Sequence, residues 1–365
     1  MGSPSTSPQT YLRISDMLAD WPWQRRLNPH YEEVAAEGDA WLRSFLALTP
    51  KSQRAFATIK ASLMAALVYP DVSRDQLRTC VDFLNVFFLV EEYTDVEDAE
   101  GVRRIVEVCT DALRNPSKSR PDGEVVLGEL MRQFWDRGRR TVHDETGKPF
   151  VDSAIDFFNA VLVQAEARDS GRVLTTDEYV AIRIDDIGVR PMYALGGAFL
   201  AIPDALYDDA LLTKMMHLGC EIITIDNDIV SYNRERANGN ADFNIVTIAM
   251  HHHGLNLDDT VRSLVEKNAR LEAQYMQCMR EFCSTLERRG GADETASIRG
   301  YLDHMGNVRR GLWSWSFECG RYFGDRGSTY AKTQMVPLVP EITRDTSLRE
   351  NQVDILLMEE ELAKL

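Results

Sequence analysis

Positive charge is in deficit: the 365 residues carry 41 Lys and Arg against 57 Asp and Glu, a formal net charge of −16 at pH 7. A nucleic-acid binder would show a basic patch or a high domain pI, so that class is excluded. Cysteine is sparse. Cys80, Cys109, Cys220, Cys278, Cys283 and Cys319 show no CxxC spacing and read as reduced, mostly buried thiols, not as a disulfide frame or a zinc site. Long hydrophobic runs are missing too; the longest, Pro191 to Pro203, is broken by glycine and falls short of the roughly 18–20 apolar residues that cross a bilayer. The opening MGSPSTSPQTYLRISD has no apolar core of signal-peptide type, and its Gly2 is only a faint myristoylation match. The expectation is a soluble, cytoplasmic protein without stable membrane insertion.

Alternating strand patterns bounded by turn dipeptides are almost absent, which excludes a large sheet. No GxSxG, P-loop or GxGxxG run occurs, so hydrolase, NTPase and dinucleotide readings have no anchor. The run His251-His252-His253, expected in a loop, cannot present a tetrahedral metal site by itself.

What the chain does have is helical periodicity, with 44% hydrophobic and 9% aromatic residues to build a core. Helices are expected from Lys51 to Val68, from an Asp71 cap to about Asp95, and from Phe150 to Arg168. Others are expected from Thr176 to Ile184, Leu211 to Glu235, Leu257 to Arg289 and Ile298 to Phe323. The fold class is all-α: one helical domain over 16–335, a flexible lead-in over 1–15, and a loosely attached, partly helical C-terminal tail over 336–365.

Two segments carry chemistry. The first runs from an apolar stretch, Val81 to Val90, directly into Glu91-Glu92-Tyr93-Thr94-Asp95. On a helix Glu91 and Asp95 share a face, and Glu92 points about 100° away. Acids at the C-terminal end of a helix oppose its macrodipole, so this end calls for a cation. The competing reading is a solvated acidic helix end.

The second segment is Asp226-Asn227-Asp228-Ile229-Val230-Ser231-Tyr232-Asn233-Arg234-Glu235. Asn227, Ser231 and Glu235 recur every four residues and line one stripe with an amide oxygen, a hydroxyl and a carboxylate. These are hard oxygen donors of the kind Mg²⁺ accepts beside water and phosphate.

Together these residues resemble the class I terpene synthases: Asn227-Asp-x-x-Ser231-x-x-x-Glu235 matches their second metal motif, and Glu91 to Asp95 looks like a variant of their aspartate-rich motif. Trp21-Pro22-Trp23-x-Arg25-x-x-Asn28-Pro29-His30 resembles the opening of the fungal, particularly basidiomycete, sesquiterpene synthases of the protoilludene type. The resemblance implies a helical bundle around an apolar cavity and a lyase that ionises farnesyl diphosphate with three Mg²⁺ ions. It implies Glu91, Glu92, Asp95, Asn227, Ser231 and Glu235 as metal ligands, Glu92 being the least well directed. Arg183, Arg234, Arg321 and Tyr322 are the implied diphosphate contacts, Asp186 the linker acid, and Ile187-Gly188 the break in the effector helix.

Phe87 and Phe88 would line the cavity, joined by Trp313 or Trp315, of which only one is expected to face inward. Glu91 stands where the family has Asp, which leaves open weaker metal affinity, a preference for a larger ion such as Mn²⁺, or low activity. The implied product arises by 1,11-closure through a humulyl cation to Δ6-protoilludene, with a 1,10-closure as the alternative. An isoprenyl chain-elongating transferase would carry a second Asp-rich motif at Asn227; a non-catalytic helical interaction protein is the rival of another class. The chain is expected to act as a monomer or homodimer.

Overall fold

The computed structural model describes residues 9–143, 146–289, 292–341 and 353–365. Residues 1–8 of the expected lead-in and 342–352 of the tail lie outside them. In chain order the helices are α1 (Tyr31–Ser44), α2 (Pro50–Ala57), α3 (Ala61–Val68), α4 (Arg74–Thr94) and α5 (Ala99–Arg114). Then come α6 (Val126–Gly138), α7 (Lys148–Ser170), α8 (Thr176–Asp186), α9 (Val189–Phe199) and α10 (Ala210–Asn238). The last are α11 (Ile245–His253), α12 (Leu257–Arg289), α13 (Ala292–Glu318), α14 (Gly327–Thr333) and α15 (Met358–Ala363).

Local chemistry starts several of these. Thr49 accepts from Ser52 N at the head of α2, Ser73 and Gln76 form a capping box on α4, and Thr175 and Glu178 form another on α8. The cap of α4 is thus Ser73 and not Asp71.

The helices form two shells. α3, α4, α7, α8, α9, α10 and α13 surround a central cavity. α1, α5, α6 and α12 pack on the outside, α12 against α10 and α5 against α7. Phe83, Phe134, Phe150, Phe157 and Phe158 are all but fully buried between α4, α6 and α7. Each contributes roughly 2–3 kcal/mol of burial free energy.

The expected single helix over 51–68 is two, broken by Lys60 in the left-handed region at φ 52. Tertiary hydrogen bonds explain the break. Thr58 O accepts from Gly320 N at 2.7 Å, Ile59 O accepts from the Trp315 indole at 2.7 Å, and Lys60 Nζ donates to Glu318 O at 2.9 Å. The same contacts end α13 at Glu318, five residues before the expected Phe323, so Arg321 and Tyr322 sit in the turn beyond the helix.

Three further expectations are corrected. His251 to His253 form the last turn of α11, closed by Gly254 at φ 63, and are not in a loop. Residues 9–15 of the lead-in are packed and not flexible: β1 (Tyr11–Arg13) pairs antiparallel with β2 (Met335–Pro337), Leu12 opposite Val336, both buried. Of the tail, residues 353–365 are packed and not loose, with Ile355, Met358 and Leu362 buried and Lys51 paired to Asp354. Among the described residues no helix is long and apolar enough to cross a membrane.

Candidate active site

Apolar residues on the inner faces of the ring helices leave a cavity of about 710 Å³, within the range of about 300–1,000 Å³ typical of small-molecule sites. Along α4 its lining changes from Phe83, Phe87 and Phe88 to Glu91 and Asp95. Along α10 it changes from Ile223 to Asn227, Ser231 and Glu235. The two polar ends meet, since Arg234 of α10 reaches Glu92 of α4. The result is a deep aromatic chamber with oxygen donors and guanidinium groups at one end.

The chamber walls are rings in contact. Phe87 stacks on Phe157 at 4.9 Å between centroids, and Phe88 lies 5.5 Å from Trp315. Trp313 and Trp315 both line the cavity, against the expectation that only one could. Trp315 donates its indole N–H to Ile59 O, and Trp313 packs against the Phe317 ring at 5.2 Å between centroids. The Arg321 guanidinium lies 5.1 Å over the Phe88 ring, joining the aromatic region to the charged one.

Glu92 does not line the cavity. Its buried carboxylate accepts from Arg321 Nη1 at 2.8 Å and from Arg234 Nη2 at 3.3 Å. Both arginines line the cavity, so Glu92 holds the two guanidinium groups at its edge from behind. Glu91 faces the cavity with Arg321 at 3.7 Å.

A guanidinium also sits at the C-terminal end of α4. Arg168 of α7, itself a lining residue, donates to Thr94 O at 3.3 Å and Glu97 O at 2.7 Å. A guanidinium there satisfies terminal carbonyls and opposes the negative end of the helix dipole.

Arg183, at the end of α8, is a second hub. It donates to Asp186 at 3.0 Å, to Asn227 Oδ1 at 3.1 Å and to Asp228 at 3.2 Å. Directly after it the chain breaks: α8 ends at Asp186, Ile187 closes it, and Gly188 at φ 72 starts α9. A left-handed residue at this point suits glycine and strains any side chain.

Asp228, which sequence reasoning did not assign, organises the region. It accepts from the Tyr179 hydroxyl at 2.5 Å, from Arg183, and from Ile245 N at the head of α11 at 3.0 Å. Its signal was its place inside the quoted motif. Asn244, also unassigned, donates to Glu235 at 2.8 Å, and the Asn227 amide donates to the Tyr322 hydroxyl at 3.2 Å.

Burial pushes the Glu91 carboxyl up to about 7, against the pull of Arg321 and with Asp95 and Asp186 adding to the rise. Burial likewise pushes Glu235 up to about 7, Asp228 adding to it while hydrogen bonds from Ser231 and Asn244 oppose it. Asp95 is raised by burial and by Glu92. These carboxylates line the cavity, where burial and neighbouring acids disfavour their ionised forms. Among the described residues no three of His, Cys, Asp or Glu gather as a ready metal cluster. The donors are divided between α4 and α10 and include amide and hydroxyl oxygens. This set fits a hard divalent cation whose remaining ligands come from water or a phosphate.

The comparisons agree. The model for "Terpene synthase family 2, C-terminal metal binding" matches residues 82–274. Delta(6)-protoilludene synthase 18 of Postia placenta is 40% identical over 352 residues, covering 96% of this chain and 99% of the relative. Delta(6)-protoilludene synthase of Armillaria gallica is 34% identical over 332 residues, 91% of this chain and 95% of the relative. The crystal structure of α-eudesmol synthase superposes with a TM-score of 0.72 at 18% identity, over 82% of this chain and 98% of that one, a likeness of fold. An all-α ring around an aromatic cavity, the family match along α4 to α12, and full-length relatives together place the chain: it belongs to the terpene synthase family, among the basidiomycete sesquiterpene synthases, enzymes of the lyase class.

Proposed function

We propose that the chain binds farnesyl diphosphate with Mg²⁺, breaks the allylic C–O bond, releases diphosphate and cyclises the cation by 1,11-closure through a humulyl cation, which after further closure loses a proton to give a Δ6-protoilludene-type hydrocarbon. The observation that carries this reading is the division of one cavity into an aromatic chamber and an end of oxygen donors and arginines. That division matches a substrate with a hydrocarbon chain and an anionic head.

Glu91 and Asp95 on α4, and Asn227, Ser231 and Glu235 on α10, would hold the metal ions. Bound there, Mg²⁺ supplies positive charge that stabilises the departing diphosphate. Arg234 and Arg321, held in place by Glu92, offer forked N–H groups to diphosphate oxygens. Arg183 donates to Asn227 Oδ1 next to the Ile187-Gly188 break; if that oxygen were to hold a cation, the guanidinium would be free to turn to the diphosphate. Phe87, Phe88, Trp313 and Trp315 exclude water and present π faces to the cation, each contact worth about 2 kcal/mol when desolvated. No nucleophile is needed.

The test is incubation with farnesyl diphosphate and Mg²⁺, with headspace mass spectrometry of the volatiles. A dominant tricyclic C15 hydrocarbon supports the reading. Germacrene-type products point to 1,10-closure, and elongated diphosphates to a transferase.

A further inference from the structure

We propose that His304 is a specificity-determining positioning residue: from α13 it pins the backbone of α9, the half-helix that follows the Gly188 break, and so fixes the Met192 side chain in the cavity wall. The role in specificity rests on the reading that the cavity cyclises a prenyl diphosphate.

Met192 lines the cavity, and its carbonyl accepts hydrogen bonds from two side chains outside its own helix. His304 Nε2 lies 3.0 Å from it, and the Tyr69 hydroxyl, also at 3.0 Å, comes from the residue that ends α3. The imidazole is buried and stacked on the Tyr69 ring, 4.9 Å between centroids at 23°. Because the acceptor is a carbonyl, Nε2 carries the proton. Burial pushes the ring's pKa down to about 4, so it stays neutral with its donor in place at neutral pH.

The notch that admits this ring is built into α9. A Cβ on Gly196 would lie 2.1 Å from His304 Cδ2 and 2.2 Å from Nε2. Glycine is required there for close approach, not for its backbone angles, and it weakens the helix around it. α9 is therefore short, broken off from α8, weakened by Gly196 and Gly197, and held in rotation by two donors to one carbonyl. Competing fates of a cation differ by small barriers, so a wall residue free to shift redistributes products before it stops ionisation. Loss of one buried hydrogen bond corresponds to about a five-fold change in such a partition.

The test compares His304→Leu, which removes the donor, His304→Gln, which keeps an amide donor, Gly196→Ala, and Gly196→Ala combined with His304→Ala. Product ratios are read at matched diphosphate release. Amide hydrogen exchange over 189–199 is read without substrate. We expect His304→Leu and Gly196→Ala each to raise minor products about five-fold against the main one, and to speed exchange across α9. His304→Gln should lie nearer the parent, and the double variant should do less damage than its single changes predict, because the methyl takes space the ring has left.

Parent-like product ratios and exchange in His304→Leu would overturn the proposal. Absence of any hydrocarbon from farnesyl diphosphate in the parent would overturn the proposed function instead. The exchange data then still decide whether His304 pins α9, unchanged exchange refuting it.

Discussion

Replacing Glu92 by Gln separates two roles for this acid. In the structure its carboxylate is the shared acceptor of Arg321 at 2.8 Å and Arg234 at 3.3 Å, and all three side chains are at least nine-tenths buried. Removing one partner of a buried ion pair costs about 3–5 kcal/mol, because an uncompensated charge stays behind. Gln keeps one oxygen acceptor, which places the expected loss near about 3 kcal/mol, or about 5 °C in unfolding midpoint for a chain of this size. On the proposed function, inorganic diphosphate with Mg²⁺ would bind the folded chain and find two guanidinium groups released from Glu92. It should therefore raise the midpoint of the variant by more than it raises the parent's. The assay is thermal unfolding of both proteins across a diphosphate titration at fixed Mg²⁺. An unchanged midpoint without ligands, together with a weakened Mg²⁺ response, would refute the clamp and return Glu92 to the metal ligands.

The other predictions follow from the same geometry. Glu91→Asp keeps or raises diphosphate release, whereas Asp95→Ala and Asn227→Ala lower it by roughly 100-fold; full release by Asn227→Ala sinks the metal assignment. Glu91 and Glu235 titrate near about 7 because of burial, and a carboxyl must lose its proton to ligate. The Mg²⁺ concentration for half-maximal release should thus rise steeply from about pH 8 to about pH 6, and a pH-independent requirement contradicts this. His304 is a base whose folded pKa is pushed down to about 4 by burial, against about 6.5 unfolded. Its stabilising contribution is complete above about pH 6.5 and is lost as pH falls toward about 4, by about 3 kcal/mol in all. Denaturant unfolding of the parent and His304→Leu across that window should show a shallower acid decline in the variant.

Much of this site could be read from residue spacing. Asn227, Ser231 and Glu235 recur with the helical repeat, and α10 presents all three to the cavity because that periodicity survives tertiary packing. The break after Asp186 was expected only from the resemblance to the family, and the structure has Gly188 there in the left-handed region. Contacts between distant segments were not legible. The end of α13 is set by Thr58, Ile59 and Lys60, far back in the chain, and the position of Glu92 is set by arginines on α10 and beyond α13. Arg168, Asn244 and His304 act through backbone carbonyls or a neighbour's carboxylate, a role that carries no sequence motif. The pairing of β1 with β2 was hidden because three-residue strands are too short to show alternation.

The proposed function of this cavity is to couple metal-assisted loss of diphosphate to ring closure. Its most direct measurement is parallel quantification of inorganic diphosphate and volatile C15 hydrocarbon from farnesyl diphosphate, with Mg²⁺ and with the metal chelated. Equal amounts of diphosphate and cyclic hydrocarbon are expected with Mg²⁺, and neither when the metal is removed. Diphosphate release undiminished by chelation, or release that yields only the linear alcohol, would contradict it.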